Sequence, residues 1–68
     1  MREIKIKDEF IKLGQALKLA GLVDSGLEAK DVILNAEVLV NNEVDLRRGR
    51  KLRPGDVVSF GSEEFVIR

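Results

Sequence analysis

The sequence predicts an α+β fold, in which two helices pack on a small, twisted, mainly antiparallel sheet. Apolar residues recur at helical spacing from Phe10 to Ala20 and again from Ala29 to Ala36. From Val38 onward the apolar period shortens to two, and Asn41-Asn42, Pro54-Gly55 and Gly61-Ser62 punctuate the alternating segments as turns. At 68 residues the chain is expected to form one domain spanning 1–68. A domain of that size buries only about 60% of the surface its unfolded chain exposes.

Ile4 and Ile6 alternate with Glu3, Lys5 and Lys7, the pattern of a short edge strand with one buried face. Phe10, Leu13, Leu17 and Ala20 then lay one apolar stripe along a helix. Its start has two readings. Either Asp8 caps it, or Phe10 and Ile11 extend the preceding strand and the helix begins near Leu13. Gly21 closes this helix, since glycine adopts the left-handed conformation common just past a helix end.

Ser25, followed three residues later by Glu28, forms a capping box that starts a second helix. Ala29, Val32, Ile33 and Ala36 make its apolar face, Lys30 and Asp31 face elsewhere, and Asn35 is placed to support the turn out through left-handed φ. With so few residues between them, the two helices must pack at a steep angle.

Val38 and Val40 lead into Asn41-Asn42, a pair that tolerates the positive φ of a tight hairpin, and Val44 and Leu46 continue the period of two. Pro54-Gly55 has the composition of a type II turn. Val58 and Phe60, then Phe65 and Ile67, supply apolar faces on either side of Gly61-Ser62. Phe10, Phe60 and Phe65 are all expected in the core, because each lies on an apolar stripe and few other large side chains are available to bury.

Charge is balanced overall, with 12 Lys and Arg against 12 Asp and Glu, but it is segregated. Arg47, Arg48, Arg50, Lys51 and Arg53 follow one another with no acidic residue between them, while Glu28, Asp31, Glu37, Glu43, Asp45, Glu63 and Glu64 populate the flanks. Screening confines surface potentials to about 8–10 Å, so a local positive field survives a net charge of zero. A charge run by itself reads as a solvated face. Arginine in most of its basic positions adds planar forks that engage phosphate oxygens in pairs.

The inventory disfavours catalysis. Without His, Cys, Tyr or Trp the chain lacks most usual nucleophiles and proton shuttles. Adjacent Glu63 and Glu64 point to opposite faces of a strand, and Gly49, Gly55 and Gly61 are spaced as turn residues rather than as a nucleotide loop. No enzyme activity, no cofactor and no metal are expected. The absence of cysteine, of a signal-like start and of apolar runs near the roughly 20 residues needed to span a bilayer leads to the expectation of a cytoplasmic protein with no membrane partner.

Several of these features lie in one order: Ala20-Gly21-Leu22, the Ser25 helix start, Ala29-Lys30, Val38-Leu39-Val40-Asn41, and Lys51-Leu52-Arg53-Pro54-Gly55-Asp56. That order resembles the RNA-binding domain named after ribosomal small-subunit protein S-four, the alpha-L motif, over about residues 12–60. Within that family the chain is similar to small stand-alone bacterial proteins of the YaaA/YbcJ type, in which an Arg-rich stretch like Arg47-Arg48-Gly49-Arg50-Lys51-Leu52 precedes the Pro-Gly-Asp turn.

The resemblance implies an RNA-binding set of Lys12, Lys18 and Lys30 on the helices with Arg47, Arg48, Arg50, Lys51 and Arg53 in the loop. Lys12-Leu13 looks like the basic-apolar pair that opens the first family helix, and Lys30 sits where the second helix presents a basic side chain. Three positions depart from the family pattern: Gly14 for the usual aspartate, Gly26 where many members have arginine, and Ala36 for a frequent glycine. Gly26 removes one phosphate contact and shifts expected affinity onto the loop.

The implied function is non-catalytic docking of a ribosome-associated monomer on structured RNA, with rRNA first and tRNA as a further candidate. With no Tyr, Trp or His, recognition by shape and phosphate position is favoured over base stacking. Two alternatives are a protein-interaction module whose basic loop meets an acidic protein, and an RNA-grip subunit acting in trans for an RNA-modifying enzyme.

Overall fold

Leu13 opens the first helix because the residues before it are already committed to a strand. In the computed structural model, which describes residues 1–68, the order is β1 (Arg2–Ile4), β2 (Ile11–Lys12), α1 (Leu13–Leu19), α2 (Gly26–Leu34), β3 (Val38–Val40), β4 (Glu43–Val44), β5 (Lys51–Leu52), β6 (Val57–Phe60) and β7 (Glu63–Ile67). Five strands form one sheet in the order β1-β7-β6-β3-β4, and β2 and β5 form a separate two-stranded ribbon. All pairings are antiparallel except β1 with β7, and β1 lies at the sheet edge as expected, although it ends at Ile4 and leaves Ile6 beyond it. No helix is long and apolar enough to cross a membrane.

Both helices end in the same way. Gly21 N–H donates to the Lys18 carbonyl and Leu22 N–H to that of Leu17; Ala36 N–H donates to Ile33 and Glu37 N–H to Val32. Each is a Schellman motif, which satisfies carbonyls that the helix end would leave unpaired. The residue taking left-handed φ is Gly21 at +76° in the first case and Ala36 at +61° in the second. Asn35, expected to make that turn, has φ −82°. Ala36 is therefore not part of the apolar face but an exposed, strained cap, and a Cβ in this region costs about 1–2 kcal/mol.

At the start of α2 the Ser25 hydroxyl accepts from Glu28 N–H at 3.1 Å, as the capping box requires. Glu28 reaches back to Asp24 N–H at 2.8 Å, one residue earlier than the standard pattern.

Leu13, Ala16 and Leu17 of α1, Ala29 and Ile33 of α2, and Val38, Val40, Leu52, Val58, Phe65 and Ile67 of the strands are essentially fully buried. Burying each of the larger aliphatics stabilises the fold by about 1.5–3 kcal/mol. The Asn41-Asn42 hairpin has positive φ at both turn positions, +52° and +71°, matching its composition.

Two further expectations about apolar positions fail. Phe10 lies ahead of α1 rather than on its stripe; it is only half-buried and stands outside the core cluster, since residues before Leu13 follow strand geometry. Val44 and Leu46 are 52% and 53% exposed, whereas Asp45 between them is 5% exposed. β4 is only two residues long, and beyond it the chain turns the Asp45 carboxylate inward. Side-chain parity alternates along an extended segment, so this turns both apolar neighbours outward.

Candidate functional site

Lys12 supplies no side-chain cap to α1, so the first amides of the helix need other acceptors. The basic loop provides them. Leu13 N–H donates to the Arg50 carbonyl at 2.8 Å and Gly14 N–H to the Arg48 carbonyl at 3.0 Å, while Arg50 N–H closes a turn on the Arg47 carbonyl. The arginine-bearing segment is thereby anchored to the helix through its backbone, leaving its side chains free to take separate directions.

Those directions are three. Arg47 and Arg50 converge on Asp45: Arg47 Nε and Nη2 donate to Asp45 Oδ1 and Oδ2 at 3.0 and 2.9 Å, and Arg50 Nη1 donates to Oδ2 at 2.8 Å. The Arg47 backbone N–H adds a further bond to Oδ1. The Arg47 side-chain bonds, against the opposing effect of burial and with help from Arg50, hold the Asp45 carboxyl far below the usual carboxylate range. Asp45 in turn raises the pKa of Arg47.

Arg48 takes the second direction, lying across Gly14. With Lys12, Lys18, Gln15, Gly26, Ala29 and Gly49, these two residues line a concavity of about 330 Å³ that no acidic side chain enters. Lys51 and Arg53 take the third. They sit over the Phe10 ring, with Lys51 Nζ 4.9 Å and Arg53 Cζ 5.8 Å from its centroid. Register accounts for this grouping. Lys12 opposes Lys51 and Ile11 opposes Leu52, so one face of the β2-β5 ribbon turns Leu52 into the core and the other carries Phe10, Lys12, Lys51 and Arg53.

Of the residues expected to contact RNA, Lys12, Lys18 and Arg48 thus meet at one concavity, with Lys51 and Arg53 on the adjoining ribbon face. Lys30 is exposed on α2 beside Ala29 but does not line the concavity. Arg47 and Arg50 border a different depression, formed with Glu43, Val44, Asp45 and Leu46.

Asn41 and Asp56 fix the far end of the loop. Asn41 Nδ2 donates to Asp56 Oδ1 at 3.1 Å, Asn41 Oδ1 accepts from Val57 N–H at 2.9 Å, and Asp56 Oδ2 accepts from Arg53 N–H at 2.8 Å. Burial would raise the Asp56 pKa, but the Arg53 amide, the Asn41 side chain and the charges of Arg50 and Arg53 together lower it. The Val40-Asn41 and Pro54-Gly55-Asp56 pieces therefore act as a clamp between the β3-β4 hairpin and the turn that carries the chain from β5 into β6. Sequence reasoning missed the clamp and the role of Asp45. The spacing Asp45-x-Arg47-x-x-Arg50 was the available signal for the latter.

A family model described as S4 domain matches residues 4–68. The chain is 54% identical over 66 residues to "Probable ribosome maturation protein RlbA" of Bacillus subtilis (strain 168), an alignment covering 93% of each chain. It is 33% identical over 61 residues to "Putative RNA-binding protein YbcJ" of Escherichia coli (strain K12), covering 90% of this chain and 87% of that one. The residues anchoring the basic loop and the two helices fall inside the matched region, and the chain belongs to the S4 domain family.

Proposed function

We propose that this protein is a non-catalytic RNA-binding module of the cytoplasm that docks on structured RNA, rRNA or a ribosomal precursor in particular, through its phosphates. The observation that carries this reading is the acid-free concavity where Lys12, Lys18 and Arg48 converge from α1 and the basic loop. Gly26 and Gly49 line it with open space where a Cβ would stand, which leaves room for a sugar-phosphate backbone to approach three cations at once, while Gly14 is covered by Arg48. Family membership and the ribosome-maturation and RNA-binding names of the two relatives support the same class of ligand.

Lys51 and Arg53 extend the positive surface along the ribbon, and Lys30 extends it along α2. Arg47 and Arg50 serve first as structural partners of Asp45, so their contribution to binding is smaller than their number suggests.

Crosslinking in cells followed by sequencing of the attached RNA tests the reading and names the ligand. Recovery of rRNA or its precursors by the wild type, and its loss in a Lys12→Glu/Lys18→Glu/Arg48→Glu variant that keeps its helical circular dichroism, is the expected result. Association with cell components that survives ribonuclease would instead point to a protein ligand.

A further inference from the structure

Phe10 is an aromatic ring that the fold does not use for its core. It is half-buried ahead of α1, with Lys51 and Arg53 over its ring. It also lines a second depression, of about 480 Å³, with Lys5, Lys7, Asp8, Lys18 and Leu19. Gln15 and Lys18 line both this depression and the acid-free concavity, so the two adjoin across α1.

Phosphate recognition requires only the cations here. A partly exposed phenyl ring that shares its depression with Leu19, itself 59% exposed, offers in addition an apolar and π surface that a phosphate does not cover and a nucleobase does. The cations at the ring make that surface compatible with a polyanion, and the planar guanidinium of Arg53 is a second group on which a base stacks.

We propose that Phe10, flanked by Lys51 and Arg53, is a stacking platform for one unpaired nucleobase, reached by an RNA strand that runs from the Lys12-Lys18-Arg48 phosphate site across Gln15. This proposal rests on the RNA-binding reading above and adds a preference to it. The protein discriminates RNA with a bulged or looped-out nucleotide from a continuous duplex.

The test uses a short RNA stem carrying one bulged 2-aminopurine and the same stem fully paired. Wild type should bind the bulged stem about ten-fold more tightly, within the range of one base–aromatic stack, and quench the 2-aminopurine. Phe10→Leu, which keeps an apolar side chain, should bind both stems equally and leave the fluorophore bright. Phe10→Trp supplies the chain's sole tryptophan, whose emission the bulged stem should quench.

Wild type that binds the paired stem in a salt-dependent way without preferring the bulge overturns the stacking platform and leaves the phosphate reading standing. Wild type that binds neither stem overturns both. Phe10→Leu with the full wild-type preference, or Phe10→Trp quenched equally by a poly-glutamate peptide, also overturns the platform.

Discussion

Arg48 crosses Gly14 so closely that a Cβ at Gly14 would lie 2.8 Å from Arg48 Cγ, nearer than side chains approach one another. Gly14 is the second residue of α1, and its amide bonds the Arg48 carbonyl. Glycine at this position is thus what lets one arginine lie flat against the helix and enter the concavity beside Lys12 and Lys18.

Gly14→Val should therefore push Arg48 out of the concavity. Loss of one charge-assisted contact predicts about ten-fold weaker RNA binding. Stability should fall by about 1–3 kcal/mol as well, because Gly14 is buried and Arg48 Cγ lies next to the backbone whose carbonyl accepts from the Gly14 amide. RNA titration beside urea denaturation separates the two, and undiminished affinity would show that this crossing has no part in binding.

Salt dependence should distinguish the arginines from one another. Each neutralised phosphate contributes about 0.7–0.9 to the slope of log affinity against log salt. Arg48→Gln should flatten the slope by about that amount, whereas Arg47→Gln, which removes a partner of Asp45, should flatten it by less than half as much. Equal effects would mean that the Asp45 pairing leaves Arg47 fully available.

Stability should fall on acidification through Asp45. Its folded-state pKa lies well below its unfolded value near 3.9, so its contribution is complete above that value and is lost as pH falls from about 4 through the folded pKa. Asp45→Asn should lower stability at pH 7 by about 1–3 kcal/mol and flatten the profile below pH 4. The flattening is partial because Asp56 titrates in the same direction. Urea midpoints across pH measure this, and parallel profiles for the two proteins would contradict it.

The two Schellman ends make an internal comparison. Ala36→Gly should stabilise by about 1 kcal/mol, because the strain of a Cβ at φ +61° exceeds the entropy that alanine saves in the unfolded chain. Gly21→Ala, at φ +76°, should destabilise by a similar amount. Thermal melts of both variants check the pair, and a destabilised Ala36→Gly would place the strain elsewhere.

Much of the architecture was legible because its signals are short-range. The Ser25 hydroxyl meets Glu28 N–H three residues on, the Asn41-Asn42 turn takes the φ values its composition predicts, and Gly55 has the positive φ of a type II turn at +100°. Of the second reading of the α1 start, the helix start at Leu13 holds, but Ile11 belongs to a separate strand and does not extend β1, because it pairs with Leu52, a residue 41 positions away.

The same distance limit explains the misreadings. Period-two alternation at Val44-Asp45-Leu46 states that neighbours face opposite ways but not which way is inward, and the Arg47 and Arg50 forks on Asp45 decided it. Spacing from Leu13 puts Phe10 on the core stripe, yet strand β2 lies between them and turns the ring toward Lys51 and Arg53.

What the chain's linear order determined by itself was the α+β architecture, the turns, and the presence of an uninterrupted basic run. Only the tertiary structure decided how that run divides: Arg47 and Arg50 to Asp45, Arg48 to Gly14, Lys51 and Arg53 to Phe10. The physical reason is that the loop docks on α1 through the carbonyls of Arg48 and Arg50. Every residue type carries that backbone group, so side-chain composition alone cannot say where the loop is held or which way each arginine points.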